Sequence, residues 1–262
     1  MTLSERLPLS VLLLARDEAR DLEELIPSLA FASEVVVVWD PSGDRGARDV
    51  AERLGARVFE RALDGFGPQR RFALEQCTQD WVLWLDADER LEPGSLPTLE
   101  RAVRMGAGRP RVVLARRTTW FLGRRITWCG WGDEWLPRLF TRRGARFDDA
   151  WVHEQVHVDG AASPARLGRL EIAHMSYRTF DDCVTKLVRY AHANAEKAWR
   201  AGRRGGLVDV CARPPLRFLR QYVLQLGFLD GAHGLLLCAF AAAQVFLKYA
   251  ELWSRSRAGR GA

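Results

Sequence analysis

The sequence predicts an α/β protein: a Rossmann-like sheet covered by helices, passing into a mixed β region and ending in apolar helices. Three observations predict it. Strand-length apolar runs alternate with segments of helical spacing over the N-terminal part of the chain. Polar residues follow these runs, at Arg16-Asp17-Glu18, Asp40 and Asp86-Ala87-Asp88. The stretch Pro214–Trp253 is largely apolar and reads as helical.

Ser10–Ala15 (SVLLLA) is continuously apolar, the pattern of a strand buried on both faces. Asp17–Leu29 carries Leu22, Leu25, Ile26 and Leu29 at helical spacing. Glu34–Trp39 is a second buried strand, and Pro41-Ser42-Gly43-Asp44 a turn-forming loop. Ala47–Leu54 reads as helix, Ala56–Glu60 as strand, Gly67–Gln76 as helix and Trp81–Leu85 as a fourth strand. Such alternation implies a parallel sheet covered by helices. The polar loops then converge at the carboxyl ends of the strands, where open sheets bind ligands. After a helix at Leu96–Val103 come strand patterns at Arg111–Arg117, Leu139–Phe140, Trp151–Val158 and Arg169–His174. Thr118–Trp131 is aromatic and glycine-rich. Phe180–Trp199 is a helix with Val184, Leu187, Val188 and Ala191 on one face, and Gly202–Gly206 breaks the chain after it.

The length, 262 residues with 48% hydrophobic content, supports one large domain or a domain with an appendage. Ten tryptophans suit core packing, with some left for a carbohydrate or membrane-interface surface. The net charge is +6. Between Arg200 and Ala262 ten basic residues stand against three acidic ones, an excess that covers the whole imbalance. Nucleic acid, anionic lipid and a phosphorylated acceptor are the partner classes this charge admits. Five scattered cysteines without a C-x-x-C pattern point to a reducing compartment. Nothing at the N-terminus reads as a signal peptide.

The tail's longest near-uncharged stretch, Leu235–Leu247, is 13 residues, interrupted upstream by Gly227, Asp230, Gly231, His233 and Gly234. A spanning helix needs roughly 20. With Arg213, Arg217 and Arg220 before it and Lys248, Arg255 and Arg257 after it, the expectation is helices lying in the membrane interface. A packed hairpin and a true span are the alternatives.

Asp86 and Asp88 end the run Trp81–Glu89 (WVLWLDADE), and alternation places both on one side of the backbone. Paired carboxylates at a strand end suit a divalent cation, since Mg2+ takes one or two carboxylates plus substrate phosphates. A rival motif, His153-Glu154-Gln155-Val156-His157, matches the H-E-x-x-H zinc-hydrolase pattern. That chemistry needs a helix. Val152, Val156 and Val158 favour strand, which would separate the histidines by about 13 Å.

The series of motifs resembles the family 2 glycosyltransferases, which have the GT-A fold. SVLLLARDEARDL is similar to the family's first strand and nucleotide loop, and EVVVVWDPSGDRG to its second. GFGPQRRFALEQCTQDWVLWLDADE, WCGWGDEWLPRLFTRRGARF, WVHEQV and GFLDGAHGLLLCAFAAAQVFLKYAELW resemble the subgroup acting on lipopolysaccharide inner core. The chain departs from the pattern at Pro41, in a loop one residue short, and at Arg71, where asparagine is common. The resemblance implies a GT-A domain over residues 1–205, with a nucleotide-sugar-binding half (1–104) and an acceptor half (105–205), and a basic helical region at 206–262.

It further implies an inverting, metal-assisted transfer of a hexose from a UDP-sugar to a lipopolysaccharide inner core or related glycolipid. Mg2+ or Mn2+ would be held by Asp88, by Asp86 directly or through water, and by His153. Ala15, Arg16, Glu18 and Asp40 would line the nucleoside site, with Asp86 beside them and Arg70 and Arg71 reaching phosphate oxygens. Glu134 or Asp133 would be the general base, Glu134 matching the family's carboxylate when Arg138 is kept in register. His174 is expected to be structural. The enzyme would be cytoplasmic, peripheral to the inner membrane, and would bind no nucleic acid. Transfer to a polyprenyl phosphate or another surface polysaccharide, a non-catalytic nucleotide-sugar-binding protein, and the zinc hydrolase are the alternatives.

Overall fold

A computed structural model of the chain describes residues 6–109, 111–132, 134–150 and 154–258. The chain divides into two compact units, one of residues 6–117 and 134–174, the other of 118–132 and 175–258. This division differs from the boundary expected at 205/206, because the helix after residue 180 packs on the last helix of the chain.

In the first unit the predicted alternation is present: β1 (Leu7–Ala15), α1 (Ala19–Ser28), β2 (Ala32–Trp39), α2 (Arg45–Arg53), β3 (Arg57–Glu60), α3 (Phe66–Gln76) and β4 (Trp81–Trp84). The four strands are parallel, in the order β3-β2-β1-β4. Then follow β5 (Glu89–Leu91), α4 (Leu96–Arg104), β6 (Val112–Phe121), β7 (Arg124–Ile126), β8 (Glu134–Thr141), β9 (Ala145–Phe147), β10 (Val156–Val158) and β11 (Glu171–Tyr177). The sheet continues past β4 as β8-β6-β11-β5 and becomes antiparallel at the β4–β8 pair. β9 and β10 form a separate antiparallel pair.

β1 is buried on both faces, as its apolar run requires. Leu9, Val11 and Leu13 pack on one side with Leu22 and Leu25 of α1, Ala47 of α2 and Leu99 of α4. Leu12 packs on the other with Ala73 and Leu74 of α3 and with Phe147 and Val156. The loops after β1 and β2 are pressed together. A Cβ at Gly43 would lie 2.3 Å from the Arg16 side chain and 2.5 Å from its carbonyl oxygen, so only glycine fits. Trp39 Nε1 donates to the carbonyls of Arg16 (3.2 Å) and Asp44 (3.3 Å), tying both loops to the end of β2.

The second unit holds the far ends of β6 and β11, the short strand β7 and three helices: α5 (Phe180–Arg200), α6 (Leu207–Leu219) and α7 (Gly231–Ala258). Thr179 and Asp182 cap α5 reciprocally in a capping box. Of the glycines expected to interrupt the last apolar segment, Gly227 and Gly231 (φ 63°) mark the turn that leads into α7, and Gly234 lies within the helix without breaking it. α7 runs unbroken for 28 residues, and Gly227–Arg257 is long and apolar enough, by length and composition, to cross a membrane. Gly234 sits inside α7 for reasons of space, since a Cβ there would come within 2.0 Å of the Gly227 carbonyl oxygen.

The turn before α7 fastens the glycine-rich Trp128–Trp131 loop. Buried Asp230 accepts backbone N–H bonds from Thr127 (3.1 Å) and Trp128 (2.8 Å). Gln221, also buried, donates to the Cys129 carbonyl (3.1 Å). Cys129 itself takes a left-handed conformation, φ 62°, and its N–H donates to the Gln225 carbonyl (3.0 Å). Asp230→Ala should therefore lower stability by about 2 kcal/mol, since hydrogen bonds to charged groups contribute ~1.5–3 kcal/mol each and water replaces part of the loss. Urea unfolding followed by tryptophan fluorescence measures this; a change below about 0.5 kcal/mol would contradict the fastening role.

Candidate active site

The acidic motif lies where predicted, just past β4, but its two aspartates have different surroundings. Asp86 is clasped by arginines. Arg70 Nη2 donates to one carboxylate oxygen (2.6 Å) and Arg138 Nη2 to the other (2.9 Å). Both guanidinium groups lie over the Trp84 ring, at 4.4 and 4.3 Å from its centroid. Arg70 is 4% and Arg138 2% exposed. The Arg70 Nε also pairs with Glu154, and Arg138 Nη2 with Glu89 (2.7 Å).

Burial alone would raise the Asp86 carboxyl, but the charges of Arg70 and then Arg138 hold it far below the usual carboxylate range. Glu89 moves the other way. Burial pushes its carboxyl up, and the Asp86 charge adds to this against the opposing pull of Arg138. Arg138 loses by burial and gains more from Glu89 and Asp86, so its proton is held more tightly than usual. Each Asp86 oxygen is thus taken by a guanidinium, while its side chain stays 31% exposed.

Asp88 faces other neighbours. Its Oδ2 lies 3.4 Å from His174 Nε2, and both side chains are partly exposed, at 27% and 21%. The pairing of β5 with β11 sets Glu89 opposite His174 and so brings this histidine to the motif. His174, expected to be structural, is the described histidine beside the acidic motif. Asp133 and His153 lie outside the described residues. Among the described residues no group of three acidic, histidine or cysteine side chains is poised for a metal. A carboxylate with one imidazole nonetheless fits a divalent cation that draws its other ligands from a diphosphate and water.

Beside the clasp lies a cavity of about 1010 Å³, lined among others by Trp84, Asp86, Arg117, Glu134, Arg138 and Glu154. Glu134 enters it from the start of β8. It is paired in register with Arg117 of β6, whose Nη2 lies 2.6 Å from its carboxylate. The cavity thus brings Asp86 and Glu134 together.

The first-strand loops form a separate cluster. Asp40 is 5% exposed, and its oxygens accept from the Ser42 hydroxyl (2.8 Å) and N–H (3.1 Å). Burial would raise its carboxyl, but these bonds, with the Leu63 N–H and the Arg16 charge, hold it below the usual range. Ala15 closes β1, and its carbonyl accepts the Asp40 N–H (2.9 Å). Glu18 folds back to accept the N–H groups of Arg16 (2.6 Å) and Asp17 (3.0 Å), shaping the loop at the start of α1. Two sequence expectations change here. Arg70 belongs to the Asp86 clasp instead of an open phosphate-facing surface, and exposed Arg71 pairs with Asp149. The zinc-hydrolase geometry is also absent from the described part of its motif. Glu154 and Gln155 are irregular, and His157 lies on strand β10.

Reading from sequence missed Arg138, Arg117 and Glu89 as site residues. Glu89 stands in the acidic motif itself, and Arg138 follows the Glu134 segment at strand spacing, which puts the two on one face of β8.

A mixed sheet with flanking helices, an acidic motif just past its fourth strand and a carboxylate-bearing cavity beside it are the arrangement of a glycosyltransferase. The chain belongs to the glycosyl transferase family 2, whose model matches residues 10–160. It is 29% identical to the lipopolysaccharide core biosynthesis glycosyltransferase LpsC of Rhizobium meliloti (strain 1021), over 95% of this chain and 93% of that one. An uncharacterized glycosyltransferase of Rickettsia bellii (strain RML369-C) is 38% identical over 84 residues, 32% of this chain and 28% of that one. Among solved structures, TarS 1–349 of S. aureus matches 96% of this chain and 91% of its own at 17% identity and TM-score 0.43. Glucosyl-3-phosphoglycerate synthase of Mycobacterium tuberculosis, solved with Mn2+, UDP and glucosyl-3-phosphoglycerate, matches 44% of each chain at 23% identity and TM-score 0.34. This chain thus spans under a third of the rickettsial protein and under half of the mycobacterial one.

The clasp makes a pH prediction. A carboxyl held low contributes stability that is present above its ordinary pKa and lost as pH falls below it. Asp86→Asn should cost about 2–3 kcal/mol at neutral pH, where two buried guanidinium groups lose one carboxylate and keep Glu154 and Glu89. The difference from wild type should then shrink by about 1.4 kcal/mol per pH unit below pH ~3.9. Denaturant unfolding at neutral and acid pH measures it; a difference that stays constant down to pH ~3 would contradict the clasp.

Proposed function

We propose that this enzyme transfers a hexose from a UDP-sugar, with inversion, to a hydroxyl of a lipopolysaccharide inner core or a closely related glycolipid. The observation that carries the reading is the pairing of Asp88 with His174 just past β4, two residues beyond Asp86, which lines the same cavity as Glu134. The acceptor class is supported by the likeness to LpsC along almost the whole of both chains. Free thiols at all five cysteines suit a cytoplasmic enzyme.

In this reading Asp88 and His174 would hold a Mg2+ or Mn2+ ion, which would supply charge neutralisation for the leaving diphosphate. Asp40 and the backbone around Ala15, Arg16 and Glu18 form the nucleoside side of the site. Glu134 takes the proton of the acceptor hydroxyl as its oxygen bonds to the anomeric carbon. The bond from that carbon to the diphosphate oxygen breaks on the opposite face, and UDP leaves. Arg117 keeps the Glu134 carboxylate turned toward the cavity. The Asp86 clasp fixes the path of the chain between β4 and β5, and so the position of Asp88.

Two variants test this in a screen of UDP-sugars with Mg2+ or Mn2+ and a lipopolysaccharide core acceptor. Asp88→Ala should abolish metal-dependent transfer while the fold persists. Glu134→Gln should lower kcat by about 10²–10⁴ with little change in KM, the range a positioned general base supplies. Transfer at wild-type rate in Asp88→Ala would overturn the reading. Wild-type kcat in Glu134→Gln would remove Glu134 as the base.

A further inference from the structure

Arg90 stands on β5, two residues past Asp88, and joins that segment to α1. Its side chain is 15% exposed. Four acceptors share its two terminal nitrogens. Nη1 donates to the carbonyls of Ala87 (2.8 Å) and Glu89 (2.9 Å). Nη2 donates to the carbonyl of Asp21 (2.9 Å) and to the Glu24 carboxylate (3.3 Å), both on α1. The Asp21 carboxylate lies 3.6 Å from the same nitrogen.

The two ends of this bridge belong to different parts of the site. Ala87 and Glu89 flank Asp88, so one nitrogen holds the carbonyls on either side of it. The segment is already a tight turn, in which the Glu89 N–H donates to the Asp86 carbonyl (2.9 Å) and the Glu89 carboxylate accepts the Asp86 N–H (3.0 Å). At the other end, Asp21 lies in the first turn of α1. That helix starts directly after Glu18, which folds back on the loop after β1 and whose carbonyl accepts the Leu22 N–H (2.9 Å). A planar guanidinium reaches both segments at once, whereas an ammonium is a single point of charge. Three of the acceptors are backbone carbonyls, so the contact fixes the path of the chain as well as balancing charge.

We propose that Arg90 is a positioning residue that couples the nucleoside side of the donor site to its cation side. A nucleotide seated at the loop after β1 steadies the first turn of α1, and Arg90 passes that constraint to the carbonyls around Asp88. Cation binding at Asp88 acts back along the same path, since coupling between two sites is reciprocal. The inference rests on the assignment of Asp88 and His174 to the cation and of the loop around Arg16 and Glu18 to the nucleoside.

Calorimetric titration of UDP, with and without Mn2+, and of uridine tests it in wild type, R90Q, R90K and E24Q. Mn2+ should tighten UDP binding about fivefold or more in wild type, the lower end of ordinary coupling between sites. R90Q and R90K should lose most of that gain while their uridine affinity stays at the wild-type level, which also shows that they are folded. E24Q should keep the gain, since it removes a half-exposed ion pair and leaves the carbonyl bonds in place. Hydrogen exchange gives a metal-free readout: UDP alone should slow amide exchange across residues 86–91 in wild type and not in R90Q. A full Mn2+ gain in R90K would show that charge alone suffices and would overturn the proposal. So would equal slowing of exchange in wild type and R90Q, no slowing in either, or loss of uridine affinity in both Arg90 variants, which marks a general structural role. A wild type with no Mn2+ gain but with slowing that depends on Arg90 would instead overturn the cation assignment and leave the bridge standing.

Discussion

The ion-pair cluster centred on Asp86 is the constraint on which the rest of the site depends. Two buried guanidinium groups meet one carboxylate, and both lie over the ring of Trp84. Each partner comes from a different element: Arg70 from α3, Arg138 from β8, and Asp86 from the end of β4. The cluster therefore sets the spacing of a helix and two neighbouring strands just where the substrate cavity opens. Buried charges cost several kcal/mol each to desolvate, and such pairs rarely add net stability over apolar packing. What this one supplies is geometry. It holds the chain rigidly enough that Asp88, two residues on, faces His174.

This division of labour separates two carboxylates that the motif presents as equivalents. Strand alternation puts Asp86 and Asp88 on one side of the backbone, yet Asp86 is paired with two guanidinium groups and Asp88 with an imidazole, both carboxylates remaining partly exposed. Glu89, fully buried against Arg138, completes the inner set.

Much of this fold was legible in the sequence because local pattern and burial agree there. β1, β2 and β4 read correctly, since strands covered on both faces are apolar throughout. The short strands β5, β7 and β9 were missed, because three residues each carry no periodicity. The His174 position was illegible for another reason: it depends on β11 pairing with β5, a contact across more than eighty residues that no spacing reveals. Of the glycines expected to interrupt the run before Leu235, Gly227 and Gly231 mark the turn into α7, whereas Gly234 lies inside the helix because it serves a close approach to the Gly227 carbonyl. Arg70 was expected to reach phosphate oxygens, and only the three-dimensional position of Asp86 and Glu154 accounts for its burial.

The central claim is that Asp88 and His174 together hold a cation against a diphosphate. Calorimetric titration of UDP with and without Mn2+ tests it most directly in wild type and His174→Ala. Mn2+ should tighten UDP binding in wild type, and removal of the imidazole should erase most of that gain while leaving metal-free UDP affinity unchanged. A Mn2+ effect of equal size in both proteins would contradict the account.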